Sequence, residues 1–119
     1  MKLRIQGDAL RLRLTRPEVL QLAEAGEVTA EMRLGLGSSF VYRIRAADVA
    51  HLGASMDGGA LTVVVPRGEV AGWPDDERVG FEGTQDAGDG RRLALLVEKD
   101  FDCLHRRPEE ADLFPHPDA

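Results

Sequence analysis

The apolar residues of this chain follow two periods, and each change of period marks an element. Leu3 and Ile5, then Leu10, Leu12 and Leu14, alternate with Arg4, Arg11 and Arg13. A period of two is that of half-buried strands, and Gly7-Asp8 between the runs reads as a turn, so the chain opens on a hairpin. Thr15-Arg16-Pro17-Glu18 fits a capping box with proline in the first turn, and Val19, Leu20, Leu22 and Ala23 supply an apolar stripe that Gly26 ends. Beyond it Val28, Ala30, Met32 and Leu34 alternate with Thr29, Glu31 and Arg33. A turn over 35–39 then leads into a strand from Phe40 to Arg45 with Phe40, Tyr42 and Ile44 inward. The predicted unit is strand, strand, helix, strand, strand.

Residues 54–97 echo residues 3–46 without a gap, 51 positions later, with nine identities in 44 positions. Gly7 falls on Gly58, Arg16 on Arg67, Glu18-Val19 on Glu69-Val70, Val28 on Val79 and Gly37 on Gly88. The apolar pattern agrees, with Leu10, Leu12 and Leu14 meeting Leu61, Val63 and Val65. Asp57-Gly58-Gly59 is a strong hairpin signal. The second helix, opening at Pro66-Arg67, is cut to one or two turns by Gly72 and Pro74. A strand near Val79 to Thr84, a turn at Asp86 to Gly90 and a strand from Arg91 to Glu98 complete the second unit.

A lone hairpin is marginally stable, so the two units are expected to interlock about a pseudo-two-fold axis, as a fused dimer would. The predicted class is α+β and mainly β: a tandem duplication forming a pseudo-two-fold barrel or sandwich, with an irregular C-terminal tail. At 119 residues the expectation is a single domain over 1–119, with repeat one about 2–46, repeat two about 53–98 and an acidic, proline-containing tail over 99–119. Trp73 and Tyr42 are expected in the core.

Charge changes the functional picture. Residues 1–51 carry 8 basic and 6 acidic side chains and residues 52–119 carry 7 and 15, which gives the net −6. A net acidic chain is a poor nucleic-acid binder, because that affinity comes largely from neutralised phosphates. No apolar run is long enough to span a membrane, and the opening Met1-Lys2-Leu3-Arg4 is not secretory in character, so no membrane contact and a cytoplasmic location are expected. The single cysteine, Cys103, excludes an internal disulfide.

Two resemblances add to this. Val63-Val64-Val65-Pro66-Arg67-Gly68-Glu69-Val70, and more loosely Leu12-Arg13-Leu14-Thr15-Arg16-Pro17-Glu18-Val19, resemble the swapped-hairpin barrel of AbrB-like transition-state regulators and antitoxin antidotes. That likeness implies a DNA-binding barrel. Over the whole length the chain is similar to a small family of uncharacterised bacterial proteins. This likeness rests on Met1 to Gly7, on Leu12 to Thr15 with Glu18-Val19, on Val97 to Phe101 with Cys103-Leu104, and on Phe114-Pro115-His116-Pro117. It implies a cytosolic bacterial protein of unknown function and carries no activity with it.

The candidate binding residues are the outward arginines Arg4, Arg11, Arg13, Arg43 and Arg45, which with Arg33 are expected to form one guanidinium-rich surface. Such a face is commonly the solvated side of a sheet; its sharper reading is an anion site, since guanidinium pairs carboxylate and phosphate alike. The corresponding second-copy positions, Ser55, Thr62, Val64, Thr84, Ala94 and Leu96, read as largely apolar and in need of cover by the tail, a second subunit or a partner protein. In the tail, Asp100, Cys103 and His105 combine carboxylate, thiol and imidazole. A lone Cys-X-His lacks the paired spacing of a zinc site, so no metal and no cofactor are assigned, and a buried, inert Cys103 is the simpler reading. No catalytic motif stands out. The expectation is therefore a non-enzymatic binding or interaction module, with an unknown protein partner or self-association through the second-repeat apolar face. The alternatives are a metal-binding or thiol-dependent site at Cys103 and an AbrB-like DNA-binding regulator.

Overall fold

The computed structural model describes residues 1–101. Eight strands and two helices follow the expected order: β1 (Lys2–Gln6), β2 (Ala9–Leu14), α1 (Arg16–Ala25), β3 (Glu27–Gly35) and β4 (Ser38–Ala47), then β5 (Gly53–Asp57), β6 (Ala60–Pro66), α2 (Arg67–Val70), a 3-10 turn (Trp73–Asp75), β7 (Gly80–Gly88) and β8 (Arg91–Lys99).

The units exchange hairpins. The first sheet runs β1-β2-β8-β7 and the second runs β3-β4-β6-β5, so each takes one hairpin from each unit. The exchanged hairpins meet as central parallel pairs, Leu12 beside Val97 in β2–β8 and Ile44 beside Val63 in β4–β6. Neither sheet closes on itself, which makes the fold a two-unit sandwich rather than a barrel. Leu10, Leu12, Leu14, Phe81, Leu95 and Val97 line the inner face of the first sheet. Val28, Ile44, Ala46, Leu61, Val63 and Val65 line that of the second, and all twelve belong to one buried cluster. Helix α1 adds Val19 and Leu22 to it. Its start carries the expected capping box, with Glu18 Oε1 accepting from the Thr15 N–H at 2.9 Å, and its end is Gly26 at φ 83°.

The ungapped echo holds only in part. Gly7 and Gly58 take matching φ values of 55° and 56°, 51 positions apart. In the second hairpins the tight turn is Gly35, Leu36, Gly37 at φ 88°, 53° and 75°, and its counterpart is Gly88, Asp89, Gly90 at 89°, 53° and 74°, an offset of 53. Gly37 therefore corresponds to Gly90, not Gly88, and Val28 to Phe81, not Val79. Phe81 is 3% exposed, as a core residue should be, whereas Val79 is 54% exposed. The two extra residues fall around the 3-10 turn, which buries Trp73 edge-on against Phe81 at 4.8 Å between ring centres. Trp73 is in the core as expected; Tyr42 packs at its margin, half-buried.

The candidate functional site

The expected single arginine surface is divided between the two sheets, because the hairpin exchange sends β1–β2 and β3–β4 to different ones. Arg4, Arg11 and Arg13 belong to the first sheet; Arg33, Arg43 and Arg45 belong to the second. In each sheet one glutamate holds two arginines. Glu98 Oε1 lies 2.8 Å from Arg13 Nε and 3.6 Å from Arg11 Nε. Glu27 Oε1 accepts from Arg45 Nε at 3.1 Å and Nη2 at 2.9 Å, with Arg43 Nη1 at 4.0 Å. Arg33 pairs with Glu31 instead. The shift from 51 to 53 also changes which residues correspond: Arg43 is matched by Leu96 and Arg45 by Glu98, so the outer face of the second unit's last hairpin carries a glutamate beside Ala94 and Leu96.

On the outer face of the first sheet these rows build a groove of about 980 Å3. The hairpin register sets Arg4 directly opposite Arg11, and the parallel register sets Arg11 beside Leu96, which Glu82 of β7 flanks in turn. One row of side chains thus runs Arg4, Arg11, Leu96, Glu82. The next row includes Ala9, Ala94 and Thr84. The result is an apolar floor with guanidinium on one rim and carboxylate on the other. Neighbouring strands are about 4.8 Å apart, so the rims stand roughly 14 Å apart across four strands.

The electrostatics of this row are unbalanced. Like charges directly opposite each other on paired strands repel, and β1–β2 carries two such rungs, Lys2 opposite Arg13 and Arg4 opposite Arg11. Three of the four cations find carboxylates: Lys2 Nζ lies 3.0 Å from Asp100 Oδ2, and Arg11 and Arg13 share Glu98. Among the described residues Arg4 has no ion-pair partner, and neither has Glu82. Both open onto the groove.

Sequence reasoning named the arginines but missed Glu98, Glu82 and Glu27. Glu27 lies next to Arg45 only through the β3–β4 register, and Glu98 meets Arg13 only because β8 runs parallel beside β2. The tail candidates divide as well. Asp100 continues the β2–β8 pairing by donating its backbone N–H to the Leu14 carbonyl at 2.8 Å. Cys103 and His105, with the acids Glu109, Glu110 and Asp112, lie outside the described residues. Among the described residues no group of three or more His, Cys, Asp and Glu side chains is placed to hold a metal ion. No helix there is long and apolar enough to cross a membrane.

Residues 1–118 match the model of DUF7009, described as a family of unknown function. No curated protein and no solved structure matches the chain, so the AbrB-like resemblance gains no support from known folds.

Proposed function

Since the chain belongs to that family of unknown function, whose description carries no activity, we propose that it is a non-enzymatic binding module and that the first-sheet groove is its contact surface. The observation that carries this reading is the row of Arg4, Arg11, Leu96 and Glu82, an apolar floor between a guanidinium and a carboxylate that have no ion-pair partner among the described residues. Such a surface suits an extended peptide segment with an apolar centre and opposite charges at its ends. Each desolvated end then gains a charge-assisted hydrogen bond while the floor buries aliphatic area. We take the chain to be one domain with an internal repeat, at work in the bacterial cytoplasm, with each sheet built from both units.

The test is a photo-crosslinking residue at Ala94, exposed on the groove floor, compared with the same residue at Ser55, exposed on the other sheet's outer face. Crosslinked adducts in the source cells at Ala94 and none at Ser55 are expected. Adducts at Ser55 alone, or at neither position, reject the groove as the contact surface.

A further inference from the structure

One edge of the first sheet lacks the cover that its counterpart has. Among the described residues β1 ends that sheet and pairs only with β2, as β5 ends the second sheet beside β6. Ala54 of β5 turns its N–H and C=O outward, where the Gln85 side chain binds both. Leu3 is its counterpart at the offset of 51, so Leu3 and, two residues on, Ile5 turn theirs to the open side of β1. At that seam the counterpart of Gln85 is Met32, whose side chain makes no such bonds. Ile5 shows the same want of cover: it stands opposite Leu10, which is 7% exposed, yet is itself 63% exposed. An open edge strand with an exposed isoleucine is a template for strand addition, and folded proteins keep such edges covered.

We infer that the free edge of β1 takes residues 109–114 of this same chain as an added strand. These residues lie outside the described ones; their sequence and the position of Asp100 carry the match. Pro108 and Pro115 bound the stretch Glu109-Glu110-Ala111-Asp112-Leu113-Phe114, and proline, with no N–H, suits the ends of a strand and not its interior. Within the stretch Glu110 and Asp112 alternate with Ala111 and Leu113, as Lys2 and Arg4 alternate with Leu3 and Ile5 in β1. Laid in register, each carboxylate meets a cation on the outer face and each aliphatic meets an aliphatic on the inner one. The added row answers the like-charged rungs of β1–β2 and gives Arg4 the anion it lacks among the described residues. Asp100 Oδ2 lies 3.0 Å from Lys2 Nζ, so the chain leaves β8 toward the end of the sheet where β1 begins. From β8 to the outer side of β1 is three strand spacings, about 14 Å, and the stretch 100–108 reaches about 30 Å when extended. The segment then runs along β1 parallel to it.

The added strand goes beyond the groove reading and is tested without it. Amide hydrogen exchange of the full chain, followed by NMR, reads Leu3 and Ile5 directly. In the parent both amides should exchange at least about tenfold slower than in Leu113→Asp, which sets a charge against Ile5, and in Asp112→Arg, which sets like charges side by side. Neither variant touches the buried core, so both should melt within a few degrees of the parent. Adding Arg4→Asp to Asp112→Arg should bring the protection back, and dilution should leave it unchanged, because the strand comes from the same copy. Amides as fast in the parent as in the variants, a paired reversal that restores nothing, or protection that fades on dilution overturns the inference; the last assigns the strand to a second copy. Arg4 also rims the groove, so the carboxylate of a groove ligand competes with Asp112 for it. Protected amides with no adduct at the Ala94 crosslinker keep the added strand and reject the groove; an adduct at Ala94 with unprotected amides does the reverse.

Discussion

Gln85 holds Ala54 by both of its backbone polar groups. The Ala54 N–H donates to Gln85 Oε1 at 2.7 Å, and Gln85 Nε2 donates to the Ala54 carbonyl at 2.9 Å. Gln85 lies in β7 of the first sheet and Ala54 in β5, an edge strand of the second, so one side-chain amide ties the sheets along one seam and occupies the free side of an edge. The matching position in β3 is Met32, which cannot make such bonds, so the two seams are held differently.

Gln85→Met removes both bonds at nearly constant volume. The expected cost is about 2 kcal/mol, the sum of two hydrogen bonds to a half-buried backbone, read from the urea midpoint. Hydrogen exchange should show Ala54 losing its protection while Val63, across β5–β6, keeps its own. An unchanged Ala54 amide would mean that the edge is held by something else.

Gly80 starts β7 where no side chain fits. A Cβ there would lie 2.1 Å from the Val97 carbonyl oxygen and 2.8 Å from the Glu98 Cα, both backbone atoms that cannot rotate away. Gly80→Ala must therefore push β7 off β8 at the end where Phe81 and Trp73 pack. We expect a loss of about 3 kcal/mol. The corresponding change at Gly83, where the nearest atom is Leu52 Cβ at 3.3 Å, needs a shift of only a few tenths of an ångström and should cost less than half of that. Thermal melts of the two variants side by side check the order.

Among the described residues Glu98 is the single anion paired with Arg11 and Arg13, and its side chain is mostly buried. Glu98→Gln keeps the shape and removes the charge, which leaves the cations of β1–β2 with less compensation. Half-buried pairs of this kind are worth more than surface ones, so a loss of about 1 to 2 kcal/mol is expected. Raising the salt should shrink that loss by screening the remaining repulsion. A salt-independent difference would assign the effect to packing alone.

What was legible in the sequence divides along a physical line. Element type and order follow from local pattern, and the capping box at Thr15 and the stop at Gly26 were both readable. The slip in the repeat was hidden because strand side chains alternate with a period of two: moving the second hairpin by two residues returns every apolar position to the same face. Only the turn glycines distinguish 51 from 53, and Gly37 on Gly88 satisfied the wrong offset by identity alone. The groove was not legible, because it combines Arg4 and Arg11 of one unit with Leu96 and Glu82 of the other. That meeting depends on parallel pairing between hairpins far apart in the chain, and no local period encodes it. The same exchange separates Arg43 and Arg45 from the first-sheet arginines.

The acid limb of stability should run through Glu18. Burial by itself raises its pKa, but hydrogen bonds from the Met1 α-ammonium and from the N–H and hydroxyl of Thr15, together with the ammonium charge, bring it below its ordinary value of 4.5. A carboxylate whose pKa is lowered by folding contributes its full stabilisation above the unfolded-state value and loses it as the pH falls through the folded-state value. Glu18→Gln keeps an acceptor for the Thr15 N–H and removes only the charge. At neutral pH the variant should be less stable by about 1 kcal/mol, in the range of a helix-capping contribution. The gap should hold down to about pH 4.5, narrow below it and close once the parent carboxyl is protonated. Urea midpoints of both proteins across that range decide the matter. A gap that persists in acid would assign the role of Glu18 to its shape, and one that widens in acid would reverse the sign of the shift.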